Sequence, residues 1–392
     1  MDRRTTSRAE QLFAAGEGSE MELDRRSMLA GTAALMTAGP AMAKPAAPSW
    51  YRNAIIIDGL GGINDPYSPD DQLRLSDRAW REIQATGVTA VRDTLLPVGN
   101  SVDASDQFKK NLSDYHSVLR ANPERLKLIE KASDILDCKR DGRLGIILGT
   151  QDTAMVGPAL ERLAEMKKGG VRCVQLTYNL ANLSGDGSIE PRNGGLTNLG
   201  RDTIRRIEAE LLLLDLSHGG ARTIDEAIAF SKRPLTISHS GARALRDHPR
   251  NVSDAAIKAV ADKGGVVGVY FMPYLAADMH PNGATLVENI VHIARVAGED
   301  HVSIGTDGGV LPLVIDAKAR ADARKDYEQR KAAGIAAPGE GPDVFTVVED
   351  YNSIDKLERL GRDLTKRGWT SAQVEKLLGR NLMRLYTETW GG

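Results

Sequence analysis

Eight short runs of apolar, largely β-branched residues constrain this chain more than any other feature: 54–58 (AIIID), 88–93 (VTAVRD), 144–149 (LGIILG), 171–177 (VRCVQLT), 211–217 (LLLLDLS), 235–240 (LTISHS), 265–270 (GVVGVY) and 302–307 (VSIGTD). Their hydrophobicity is continuous rather than alternating, which marks strands buried on both faces. The stretches between them carry helical periodicity, as at 223–231 and 254–263, and supply the crossovers of parallel βα units. A single-domain α/β fold, the (β/α)8 TIM barrel, is the economical arrangement. The doubly wound alternative wants a phosphate-binding glycine turn after an early strand, and DGLGGIND has its glycines in the wrong pattern. After the eighth run comes a polar insertion, RADARKDYEQRKAAGIAAPGEGPDVF, followed by helical patterns at 353–367 and 371–389. There is no internal repeat and no second domain.

Composition narrows the partners. The net charge is −2 and charges of both signs are mixed along the chain, so neither a nucleic acid nor another polyanion has specific support. Small molecules remain the expected partners.

Residues 1–43 read as export machinery, which leaves 44–392 as the barrel domain. Arg25 and Arg26 precede a weakly apolar stretch from Met28 to Thr37 and a small-x-small site at Ala41-Met42-Ala43, the order of a twin-arginine signal cleaved before Lys44. The apolar stretch is too short to remain as a membrane anchor. A periplasmic mature protein is the expectation. Cys138 and Cys173 make no disulfide framework and lack metal-ligand spacing, so both read as structural.

In a barrel of this kind, chemistry is built at the C-terminal ends of the strands and in the loops that follow them. Taken run by run, those ends offer Asp58 and Asp65, then Gln151 and Asp152, Tyr178 and Asn179, Asp215 and His218, His239, and Asp307. His218 and His239 end consecutive strands and should face one mouth. Neutral imidazoles bind a divalent ion, and a nearby carboxylate such as Asp307 takes a proton from the water beside it.

The segments GGLTNLG, LLLLDLSHGG, PLTISHSGARALRDHPRNVSD, KGGVVGV, EDHVSIGTDGG and LLGRNLMRLY, in that order, resemble the membrane dipeptidase (renal dipeptidase) family of amidohydrolase-type barrels over nearly all of 44–392. The resemblance implies the eight-stranded barrel, cleavage of dipeptides, two zinc ions bridged by a glutamate, and a homodimer. It assigns His218 and His239 to one metal, Arg250 to the substrate carboxylate and Asp307 to catalysis. Elsewhere the chain departs from the pattern. Leu60 and Gly62 stand where the other metal's His-x-Asp pair belongs, Gln151 stands for the bridging glutamate, and Tyr178 for a histidine.

Leucine and glycine offer no donor atom, and Gln151 brings no negative charge, so the site holds at most one ion, zinc or another divalent metal. Tyr178 can donate to an oxyanion or act as an acid or base, and Asn179 and Gln151 join Arg250 as substrate-binding candidates. Three functions follow: a one-metal hydrolase of the dipeptidase type, a metal-independent lyase or isomerase using His218, His239, Asp307 and Tyr178, and a non-catalytic binding protein that keeps the pocket.

Overall fold

The computed structural model describes residues 48–69, 72–99 and 103–391, so residues 1–43, read above as an export signal, lie outside the described residues. Nine parallel strands form one sheet: β1 (Ile57–Asp58), β2 (Ala90–Leu95), β3 (Leu126–Leu128), β4 (Leu144–Thr150), β5 (Val171–Gln175), β6 (Leu213–Asp215), β7 (Thr236–Ser240), β8 (Val266–Val269) and β9 (Val302–Ile304). Eight of them follow the order β1-β2-β4-β5-β6-β7-β8-β9, one at each expected run, with β2 and β4 continuing past theirs to Leu95 and Thr150. The ninth, β3, pairs with the start of β4, Leu126 opposite Leu144, below the level at which β5 takes over at Leu148.

The barrel closes through the segment after β1. Gly59 N donates to Ile304 O at 3.0 Å, Asp307 N donates to Leu60 O at 2.8 Å, and Gly62 bridges Gly309. A side chain at Gly59 would meet the Ile304 carbonyl at 2.9 Å, so the seam needs a glycine there.

Alternate residues of each strand enter different apolar clusters, which is why the runs read as continuous. Ile56, Ile146, Leu214 and Val267 pack under the helices. Their neighbours Ile57, Ile147, Leu213 and Val266 join a second cluster with Leu382, Leu385 and Tyr386 of the last helix, Asn381–Trp390. Helix starts follow from local chemistry: Ser76, Thr197, Ser253 and Asn282 each accept a backbone N–H of the first turn. Each such cap contributes about 1 kcal/mol.

Two elements depart from the sequence expectation. The polar insertion contains a helix, Ala317–Ala332, with no buried residue. The pattern at 371–389 is interrupted by a π-helical turn over Lys376–Arg380. Among the described residues, no helix is long and apolar enough to cross a membrane. Cys138 and Cys173 are buried and unbridged, and burial pushes their thiols up to about 11 and about 12.

Candidate active site at the barrel mouth

The strand ends converge as expected. Tyr178, His218, Arg250 and Asp307 line one cavity of about 610 Å³, and the His239 ring lies 4.9 Å from that of His218. His218 and Asp307 both hold φ in the left-handed region, at 62° and 58°. Non-glycine residues kept there cost free energy and cluster at functional sites, where the surrounding fold enforces them.

Each histidine is oriented by a hydrogen bond on one nitrogen. Asn179 donates through Nδ2 to Ile335 O at 2.7 Å, which turns its Oδ1 toward His218 Nδ1, 2.6 Å away. His218 therefore carries its proton on Nδ1. Ser238 Oγ donates to Asp215 Oδ2 at 2.6 Å and so accepts from His239 Nδ1 at 2.8 Å. His239 is left in the same tautomer. The Nε2 atoms of both rings are buried without a hydrogen-bond partner and present bare lone pairs. Burial, and then the charge of Arg250, hold both imidazoles well below the ordinary histidine range, so they stay neutral.

The remaining groups bring charge. Arg250 is 2% exposed, and its Nη2 has no hydrogen-bond partner. Burial raises the Asp307 carboxyl to about 6, against the opposing charges of Arg250 and Arg330. Tyr178 stacks on His218 with ring centroids 4.2 Å apart, and its Oη accepts from Arg330 Nη1 at 3.0 Å.

Arg330 and its partner Glu340 come from the insertion and were not anticipated. Arg330 grips Glu340 through Nε and Nη2, each at 2.9 Å, and Tyr274 donates to the same carboxylate at 2.6 Å. A signal existed in the sequence: an insertion directly after the strand that ends in Asp307 must emerge at the catalytic mouth.

Two expected substrate contacts are corrected. Asn179 is 1% exposed, and its polar atoms are engaged by His218, Ser188 and Ile335, so it orients His218 instead of touching a substrate. Gln151 donates to Thr94 Oγ1 at 3.0 Å and is not among the residues lining the cavity.

The three aspartates nearest in sequence to the missing metal ligands, Asp58, Asp65 and Asp152, are also engaged. Asp58 accepts from Thr306 N at 2.8 Å and Thr306 Oγ1 at 2.5 Å; Asp65 accepts from Ser76 N at 2.6 Å; Asp152 accepts from Asn182, Gly99, Thr153 and Ala154. Leu60 is 1% exposed in the core, and no group of three or more His, Cys, Asp or Glu suited to an ion occurs among the described residues. The unpartnered Nε2 atoms of His218 and His239 are donors of the kind a single divalent ion takes. They do not fit a bridged pair of ions, which needs a shared carboxylate and a second set of ligands.

Residues 79–317 match the pattern of membrane dipeptidases, peptidase family M19. The chain is 27% identical over 299 residues to an uncharacterised Klebsiella pneumoniae protein from the region 5′ of pqqA, covering 74% of this chain and 98% of that one. It is 25% identical over 276 residues to the dipeptidase TcpJ of Claviceps purpurea, covering 69% of this chain and 57% of its relative's length. Among solved structures, an amidohydrolase from Pseudomonas aeruginosa superposes with a TM-score of 0.75 at 26% identity, covering 88% of this chain and 98% of the other.

Proposed function

The chain belongs to the membrane dipeptidase family of hydrolases, and from that premise we propose that it is an exported amidase acting on a small substrate that carries a carboxylate, with an altered site holding at most one divalent ion. One observation carries the reading: a buried guanidinium with an unpartnered Nη2, Arg250, faces the same cavity as Asp307 and His218, the latter with a bare Nε2 lone pair.

Arg250 would hold the substrate carboxylate through charge-assisted hydrogen bonds, about twice as strong as neutral ones. Asp307, titrating at about 6, is an effective base near neutrality and can take the proton of an attacking water as it adds to the amide carbonyl. The same proton then passes to the departing nitrogen as the C–N bond breaks. Tyr178 faces the cavity with a hydroxyl that can donate to the carbonyl oxygen as it gains charge. A divalent ion on His218 Nε2 and His239 Nε2 would supply Lewis-acid polarisation at this position.

A metal-independent acid–base enzyme is the second reading. Its support is the charge around the imidazoles: Arg250 and Arg330 both bear on His218, and positive charge opposes a cation there. The two readings separate in one experiment on purified mature protein, which assays zinc, manganese and iron by elemental analysis and measures dipeptide hydrolysis with and without chelator. The one-metal hydrolase predicts up to one ion per chain and chelator-sensitive turnover; metal-free protein that hydrolyses no amide refutes it. Export is tested separately. Replacing Arg25 and Arg26 with Lys should trap the precursor inside the cell, and a periplasmic product made equally well by the double variant would reject the twin-arginine route.

A further inference from the structure

We propose, building on the hydrolytic reading above, that Arg330 is a positioning residue which the insertion adds to the site: it aims the hydroxyl proton of Tyr178 at the oxygen of the substrate that becomes negative. Tyr178 Oη accepts from Arg330 Nη1 at 3.0 Å. A guanidinium only donates, so the phenol keeps its own proton, and among the described residues no group accepts it. Stacking on His218 holds the ring at a fixed tilt, 23° between planes. The hydroxyl is therefore anchored on its acceptor side and free on its donor side, within the cavity that Arg250 and Asp307 share.

Arg330 is poorly placed to bind the substrate carboxylate itself. Its Nε and Nη2 grip Glu340, Nη2 also reaches Ile335 O at 3.5 Å, and Nη1 serves Tyr178. Arg250, by contrast, has Nη2 free. The Glu340 carboxylate is itself fixed by Tyr274 and by Ala337 N at 2.9 Å, so the guanidinium is held from behind. The helix Ala317–Ala332, which buries nothing of its own, acquires a purpose in delivering Arg330 to the mouth.

The test compares Tyr178→Phe, Arg330→Met, Arg330→Lys and the double variant Tyr178→Phe/Arg330→Met. It reads kcat and KM on a dipeptide, and the affinities of a phosphinate dipeptide analogue, which mimics the tetrahedral oxyanion, and of a free amino acid, which offers only the carboxylate. Tyr178→Phe and Arg330→Met should each lower kcat by about 100–1,000-fold, as loss of one oxyanion donor does, with KM within about twofold. The double variant should be no worse than either single one. Phosphinate affinity should fall with kcat, amino acid affinity should hold, and Arg330→Lys should restore part of the loss. A rise in KM with weaker amino acid binding would make Arg330 a carboxylate clamp and overturn the proposal, as would multiplicative effects in the double variant. Should Arg330→Met fail to fold, Arg330→Lys against Tyr178→Phe in phosphinate binding decides. Should the wild type hydrolyse no dipeptide, the hydrolytic reading fails on its own. Phosphinate binding then judges Arg330: equal losses in the two single variants support the proposal, and unequal losses or no wild-type binding overturn it.

Discussion

Replacing Asp215 with Asn removes the charge on which the polar frame beneath the mouth depends. Asp215 and Arg92 lie inside the barrel with side chains 0% and 1% exposed and 2.5 Å between Nη1 and Oδ2. Asp215 also accepts from Ser217 N at 3.0 Å, Ser217 Oγ at 2.8 Å, Ser238 N at 3.0 Å and Ser238 Oγ at 2.6 Å. The Asn side chain preserves shape but strands the guanidinium without a counter-charge and turns an NH2 toward groups that are themselves donors. Removing one partner of a buried pair costs about 3–5 kcal/mol. At roughly 2 °C per kcal/mol for a domain of this size, the melting temperature should fall by roughly 6–10 °C.

The assay is thermal unfolding at neutral pH for Asp215→Asn, Arg92→Met and the double variant, which should be less destabilised than the two single losses added together. A pH series adds an independent check. Burial disfavours the carboxylate, yet Arg92 and the hydrogen bonds from Ser238 hold Asp215 far below the usual carboxylate range. Because its folded pKa is depressed, its contribution is present above about pH 4 and is lost as pH falls below that. Asp215→Asn should lack this part of the acid limb. A loss under about 1 kcal/mol, or an acid limb identical to the wild type, would refute the reasoning.

Three further outcomes follow from the same geometry. Arg250→Met should raise KM about 10–100-fold, the value of a charge-assisted contact, while kcat changes little; a fall in kcat at constant KM would remove Arg250 from carboxylate binding. Wild-type kcat/KM should fall below about pH 6 as Asp307 protonates, and because its folded pKa is raised, stability should decline as pH rises from about 4 to about 6. Asp307→Asn should thus be inactive yet melt higher than wild type at pH 8, and a lower melting temperature would show that the carboxylate has a stabilising partner. Equilibrium dialysis of the wild type with zinc should give at most one tightly held ion per chain, and two would disprove the one-ion site.

The barrel was legible because its strands are buried on both faces, so apolar runs such as LGIILG mark them without help from any partner. Placement of His218, His239, Arg250 and Asp307 at one mouth then followed from strand polarity alone. The strand Leu126–Leu128 escaped because three residues around a lysine carry no pattern; β4 makes it a strand. The roles of Asn179 and Gln151 escaped for a related reason. An amide side chain in a loop can face a ligand or a neighbour, and only the folded chain puts His218 beside one and Thr94 beside the other.

Residue identity alone determined the missing donors: no conformation gives the side chain of Leu60 or Gly62 a ligand atom. Whether Asp58, Asp65 or Asp152 could compensate was decided by tertiary structure, because a carboxylate is available to a cation only after the surrounding N–H and O–H groups have taken their share. The sequence places the insertion at the mouth, but the pairing of Arg330 with Tyr178 belongs to the tertiary structure. The distance between them along the chain, 152 residues, hides the contact from any local pattern, and a helix with no apolar stripe has its position dictated by what it docks against.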